Sequence, residues 1–205
     1  PRRHPSSSLS ASSATSDVEK RPLLGNHNIK NATAAVAVAL SLGIKINIIK
    51  NALKNFEGVQ RRINIIFSYK KIDVYDDYAH HPTEIHSLLD GIRSVHRSRK
   101  IISVFQPHRF SRVRLLKKEF AKAFKLCDEV VLCPVYPAGE KINKYFDYHT
   151  FGKLIVKKSN VTVAILKTEN DLLNYFKKNL FDNELVVCMG AGSISSWIRN
   201  ISKKL

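Results

Sequence analysis

From Ile72 to the end of the chain, short apolar runs alternate with amphipathic stretches, and this alternation restricts the fold more than any other feature of the sequence. Ile72 and Val74 alternate with Asp73 and Tyr75. Ile101 to Phe105, Glu129 to Cys133, Thr162 to Leu166 and Leu185 to Met189 are nearly continuous apolar runs. Such runs suit the strands of a parallel sheet that helices cover on both faces. Between them the apolar residues return at helical spacing. Ile85, Leu88, Leu89, Ile92 and Val95 do so after Pro82, which fits a first helical position. Leu116, Phe120, Ala123 and Phe124 face inward in a helix near Arg112 to Cys127, and Leu172, Leu173 and Phe176 in one from Glu169 to Leu180. A last helix runs from about Ser193 to Lys203, and Ile63, Ile65 and Phe67 give a strand ahead of the series. The expected fold is α/β, a Rossmann-like, doubly wound and mostly parallel sheet with helices on both faces.

The chain has 205 residues, enough for one ordinary domain and part of another. Residues 1–20 form a Ser-rich arm with seven serines between Ser6 and Ser16, too poor in apolar side chains to offset the entropy of ordering, so disorder is expected. An almost wholly apolar helix, Ala32 to Leu42, follows and stops at Gly43, and so many alanines predict burial against close neighbours. Asn28 and Asn31 share one side of its first turn; they can cap the helix or read a purine edge. A second short helix lies near Ile46 to Asn55.

Three polar loops leave the carboxyl ends of strands, where open α/β sheets bind ligands. The first, Asp76-Asp77-Tyr78-Ala79-His80-His81, packs two carboxylates that repel one another unless a cation, a sugar hydroxyl or a backbone donor compensates them. The second is Gln106-Pro107-His108-Arg109-Phe110-Ser111-Arg112 and the third Tyr136-Pro137-Ala138-Gly139-Glu140. Together they bring Tyr78, His80, His81, His108, Arg109, Arg112, Tyr136 and Glu140 to one rim. Arg61 and Arg62 could clamp phosphate as planar forks or form an ordinary basic turn.

Several function classes are disfavoured. Cys127, Cys133 and Cys188 have no C-x-x-C spacing, which points to a reducing, cytoplasmic setting, and no apolar run reaches the ~20 residues that span a bilayer. Gly190-Ala191-Gly192 lacks the third glycine and the acidic partner of a dinucleotide fingerprint, and no G-x-x-x-x-G-K-[ST] phosphate loop occurs. No metal ligand set is evident. The net charge of +17 invites nucleic acid, but the lysine pairs at 70–71, 117–118, 157–158, 177–178 and 203–204 are dispersed along the chain, so no nucleic-acid partner is expected.

Six segments in order carry a family resemblance: Gly25-Asn-His-Asn-Ile-Lys-Asn-Ala-Thr-Ala-Ala35, Gly58-Val-Gln-Arg-Arg62, residues 76–84, residues 106–112, residues 136–140 and Gly190-Ala-Gly-Ser-Ile194. They resemble the Mur ligases, and the His-His-Pro and Gln-Pro-His-Arg segments are similar to the branch acting on UDP-N-acetylmuramate and L-alanine. The resemblance implies an ATP- and Mg2+-dependent amide ligation through an acyl phosphate in peptidoglycan precursor synthesis. It also implies that residues 21–62 are the tail of a central ATP-binding domain and residues 63–205 a complete C-terminal domain. By the same resemblance His27, Asn28, Asn31, Arg62 and Asp77 meet ATP, while Tyr78, His108, Arg109 and Arg112 hold the amino acid. His81 and Arg109 are the catalytic candidates. The UDP-sugar domain and the phosphate loop of the family are absent from these 205 residues, so the expectation is a fragment, inactive alone and needing the N-terminal ligase domains. The alternative is a nucleotide- or anion-binding remnant without catalysis.

Overall fold

The computed structural model describes residues 26–56 and 61–205, with side chains from Asn28 onward. The serine-rich arm, the first residues of the expected central-domain tail, the His27 side chain and Gly58-Val59-Gln60 lie outside the described residues. Two helices come first, α1 (Asn26–Ser41) and α2 (Ile46–Lys54), followed by β1 (Asn64–Tyr69) and β2 (Ile72–Asp77). The alternating part then runs α3 (Pro82–Val95), β3 (Ile101–Phe105), α4 (Phe110–Leu115), α5 (Lys117–Lys122), β4 (Glu129–Leu132), α6 (Tyr148–Ser159), β5 (Thr162–Ile165), α7 (Glu169–Asn179), β6 (Leu185–Met189) and α8 (Ile194–Ser202).

The strands form one six-stranded sheet in the order β1-β2-β6-β3-β4-β5. β1 pairs antiparallel with β2, and the remaining ladders are parallel. The expected mostly parallel α/β sheet is therefore present. Strand side chains alternate between faces, and the core divides accordingly. Ile101, Phe105, Val130, Leu132, Val187 and Met189 meet Leu89 of α3, Phe120 of α5 and Ile155 of α6 on one side. Val74, Ile102, Val104, Val131, Val186 and Cys188 meet Leu172 of α7 and Ile198 of α8 on the other.

The β1–β2 turn is a two-residue hairpin in which Lys70 (φ 48°) and Lys71 (φ 61°) both take the left-handed region. The twist of a hairpin requires this, yet lysine pays for it where Asn-Gly does not. Lys70→Asn with Lys71→Gly is expected to stabilise the chain by about 1 kcal/mol. Thermal unfolding would show a higher Tm, and an unchanged or lower one would refute the strain.

Two sequence expectations change, and one helix goes unforeseen. The helix foreseen from Arg112 to Cys127 is two short helices broken at Leu116 (φ −108°, ψ 26°). Helix α6 had no specific forecast, although Asp147 caps it by accepting from the Thr150 amide and Phe151 and Ile155 give its buried stripe. Most of α1, foreseen as buried, is exposed, with Val38 at 59% and Ile29 at 64%. Its apolar surface meets few partners among the described residues, because its alanines line an open cleft instead of filling one. No helix among the described residues is long and apolar enough to cross a membrane.

Candidate functional site

Because β6 inserts between β2 and β3, the turn at Gly190 comes to lie between the ends of those two strands. The Gly190 amide donates to the Asp77 carbonyl at 3.2 Å, and the Gln106 amide donates to the Met189 carbonyl at 2.9 Å. Gln106 is buried and serves as a hub: its Nε2 donates to Ser193 Oγ at 3.0 Å, and its Oε1 accepts from the Ile194 amide at 3.0 Å. The other two loops join through a parallel bridge at His108 and Tyr136. In that bridge the Tyr136 amide donates to Pro107 and the Arg109 amide to Tyr136, each at 2.8 Å. Glu140 then accepts from the Ser111 amide and hydroxyl, tying the third loop to the start of α4. Arg109 sits at that junction with φ 69°, an uncommon backbone for a side chain that is not glycine.

Neighbouring residues on a strand point to opposite faces, and this resolves the paired carboxylates. Asp76, fully buried, faces α8, where the Ser195 hydroxyl donates to it and Arg61 and Arg199 lie within 3.9 Å. Asp77 faces the other way. Its Oδ1 accepts from the Ala79 amide at 2.8 Å and its Oδ2 from the Ile63 amide at 2.9 Å, so backbone donors compensate it. Burial pushes the Asp77 carboxyl up from its ordinary value, against the pull of those amides and of Arg62.

A ligand-sized cleft and a cluster of rings flank this strand end. On one side a cleft of about 780 Å³ is lined by Asn28 and Asn31, by Arg62 and Asp77, and by the alanines at 32, 35 and 39 opposite Ile48 and Leu53. Of the five residues expected to meet ATP, four share this cleft; the fifth, His27, is outside the described side chains. Small side chains on α1 leave a flat apolar slot between polar ends, a shape suited to a planar ring. Asp77 has spent two acceptor positions on amides, and a carboxylate retains others.

On the other side runs a chain of rings. The Tyr78 and His80 rings meet edge-on at 5.2 Å, His80 and His108 lie 5.5 Å apart, and His108 stacks on Tyr136 at 5.6 Å. Arg112 Nη1 and His108 Nδ1 are buried and make no hydrogen bond to any described residue. Burial lowers the His108 pKa, and Arg112, His80 and Arg109 lower it further while Glu140 opposes them. The pocket is therefore electropositive, and its imidazole is kept neutral. Tyr78, His108, Arg109 and Arg112 are thus neighbours, as the sequence led us to expect.

His81 is placed differently. It is the N-cap of α3, its Nδ1 accepting from the Thr83 amide at 3.3 Å, while Glu84 Oε2 accepts from the amides of His80 and His81. With Nδ1 engaged in that cap, Nε2 is the ring nitrogen His81 has left for a ligand, and in the tautomer that accepts at Nδ1 it is a hydrogen-bond donor.

Arg61 has a structural role that the sequence does not reveal. Its guanidinium donates to the Gly190 carbonyl at 2.6 Å and lies 4.7 Å from the Tyr78 ring centroid, while its own carbonyl accepts from the Tyr78 amide. It clasps the first loop to the Gly190 turn. The sequence offers Arg61 as half of a phosphate clamp with Arg62 or as part of an ordinary basic turn, and neither reading foresees this clasp.

The sequence pattern of the domain family described as Mur ligase, glutamate ligase domain, matches residues 61–192. A UDP-N-acetylmuramate--L-alanine ligase from Pelagibacter ubique is 52% identical over 182 residues, spanning 89% of this chain and 39% of its own length. The ligase of that name from Aquifex aeolicus is 34% identical, over 89% of this chain and 39% of its own. The crystal structure of the UDP-N-acetylmuramate-alanine ligase from Thermotoga maritima superposes with a TM-score of 0.71 at 32% identity, covering 88% of this chain and 38% of that one. A murein peptide ligase from Psychrobacter arcticus shares the fold, with a TM-score of 0.65 at 22% identity over 87% of this chain and 37% of its own. The chain thus spans about two fifths of the length of the relatives it matches.

Proposed function

Because this chain belongs to the Mur ligase family by its match to the glutamate ligase domain, we propose that it forms the amino-acid side of an ATP-dependent enzyme joining L-alanine to UDP-N-acetylmuramate. Peptidoglycan precursor synthesis in the cytoplasm would be its setting. The observation that carries this reading is the pocket at His108, where buried Arg112 Nη1 has no hydrogen-bond partner among the described residues beside a neutral imidazole. A small amino acid offers what such a pocket lacks. Its carboxylate would take the Arg112 guanidinium, with Arg109 at the mouth, as a charge-assisted hydrogen bond. Its amine would donate to the neutral His108 ring, and Tyr78 would form the adjoining wall. Held in this way the amine is oriented for attack, and the surrounding rings exclude water.

ATP would supply the phosphoryl group that activates the sugar's carboxylate. The cleft at Asn28 fits its base, with the amides of Asn28 and Asn31 offering donor and acceptor together, and with Arg62 and Asp77 toward the ribose and phosphates. In this reading α1 and α2 belong to a central ATP-binding unit, and residues 63–205 form the domain that closes on the amino acid. The remaining ligase parts, including a phosphate loop, would come from outside these residues. No group of three His, Cys, Asp or Glu side chains able to hold a metal ion occurs among the described residues. The described residues alone therefore do not make a magnesium site. His81, with Nδ1 engaged in the helix cap, would offer Nε2 to an anion as a hydrogen-bond donor.

The test is an NMR titration of the chain with L-alanine, following the His108 ring. A carboxylate beside it is expected to raise the His108 pKa, and L-alaninamide, which lacks that charge, is expected not to. Arg112→Ala is expected to weaken L-alanine binding about 10- to 30-fold, the worth of one charge-assisted hydrogen bond. Equal responses to alanine and alaninamide, or undiminished binding by the variant, would refute the assignment.

A further inference from the structure

Two of the lysine pairs that look dispersed in the sequence, 117–118 and 157–158, converge in space. Exposed Arg114, Lys118 and Lys122 on α4 and α5 face Lys153, Lys157 and Lys158 on α6 across a trough of about 830 Å³, whose lining also holds half-buried Lys117 and one acid, Glu119. All six side chains are exposed. Packing of α5 against α6 holds the walls together, with the Ser159 hydroxyl donating to the Ala121 carbonyl at 2.7 Å between them. Outside the trough some cations are paired, half-buried Arg93 with Asp128, half-buried Arg99 with Asp73, and Lys100 with Glu129 and Glu184. None of the six in the trough makes an ion pair with a described residue.

We infer that this trough binds the sugar-phosphate backbone of nucleic acid, independently of base sequence. Like charges gathered in one concavity, with no ion pair to a described residue, repel each other, and a polyanion relieves that repulsion while releasing its own counterions. Lys118 and Lys122, like Lys153 and Lys157, stand one helical step of about 6 Å apart along the two walls. A nucleic-acid strand is a convex ridge with a charge about every 3.4 Å of its axis, and it fits between such walls. A bilayer is flat and would meet only the rims. No aromatic side chain lines the trough, so bases have nothing to stack on, and it presents no open strand edge to an acidic peptide. The net charge of +17 adds long-range attraction.

The experiment measures fluorescence anisotropy of a labelled mixed-sequence DNA duplex with the whole chain across a salt series. Binding is expected, with log K falling linearly against log salt. The variant Lys118→Gln/Lys153→Gln/Lys157→Gln is expected to bind at least ~10-fold more weakly and to lower the salt slope by about 0.9 per lysine removed. The variant Lys177→Gln/Lys178→Gln/Lys203→Gln removes the same charge from α7 and the end of α8, and it is expected to match the parent chain to within about twofold. All six positions are exposed, and circular dichroism confirms that each variant is folded. Equal losses in the two variants would overturn the inference, because they would show net charge acting without a site. Absence of DNA binding would overturn it too, as would binding confined to phosphatidylglycerol vesicles or to polyglutamate.

Discussion

Gly190→Ala is expected to lower the stability of the chain by about 3 to 5 kcal/mol, the sum of a forbidden backbone conformation and an overpacked contact. Gly190 has φ +153°, and a Cβ there would lie 2.8 Å from the Gln106 carbonyl oxygen and 3.2 Å from Ile194 Cγ2. Backbone cannot swing aside as a side-chain tip can, so either the end of β3 or the start of α8 must move. Both carry the site, since Gln106 leads into the His108 loop and the Gly190 carbonyl holds Arg61. Urea unfolding measures the loss, and a penalty under about 1 kcal/mol would mean that the turn is far softer than its contacts imply.

Asp77→Ala is expected to cost about 2 to 4 kcal/mol, because the amides of Ile63 and Ala79 would each lose their acceptor in a part-buried setting. The effect has a pH signature. Burial raises the Asp77 pKa above its ordinary value of 3.8, so the folded chain binds this proton more readily than the unfolded one. Stability contributed by the residue therefore declines as pH rises from about 3.8 through the folded pKa, where the buried carboxylate ionises. The alanine variant lacks that slope, and the gap between parent and variant should be wider at acid pH than at neutral pH. Unfolding curves at the two pH values check this; a gap that widens toward neutral pH would reverse the sign. The same variant should unfasten the segment at Ile63 from the strand end, and with it Arg62 in the Asn28 cleft.

Much of this is legible in the sequence alone. The apolar runs marked the strands because a strand covered on both faces has no polar side to show, and their ends moved by only a residue or so. The three polar loops were correctly placed on one edge of the sheet, since every parallel strand delivers its following loop to the same edge. Asn28 and Asn31 were read as sharing one side of their helix, and they share one cleft. Burial was less legible. The alanine-rich α1 reads as a core helix by composition, yet burial belongs to the surroundings as well as to the side chain, and here the surroundings are an open slot. The break at Leu116 was also hidden, because the apolar residues on either side keep helical spacing through it.

Gly190-Ala191-Gly192 shows how one local signal can serve different ends. As a sequence it suggests a phosphate-binding turn, and in the fold a Cβ at Gly192 would come within 2.5 Å of Gln106 Oε1 and Tyr136 Cγ. The glycine is there for close packing among loops that are more than fifty residues distant in sequence. No local rule could distinguish the two.

Periodicity, turn chemistry and capping, which act over a few residues, settled the elements and where their loops emerge. Pairing across the whole chain settled the rest: that β6 enters between β2 and β3, that Asp76 turns to α8 and Asp77 to the cleft, that Arg61 reaches the Gly190 turn, and that α5 and α6 gather their lysines. Those contacts join residues 30 to 130 positions apart, and their energies exist only once the sheet has brought the partners together.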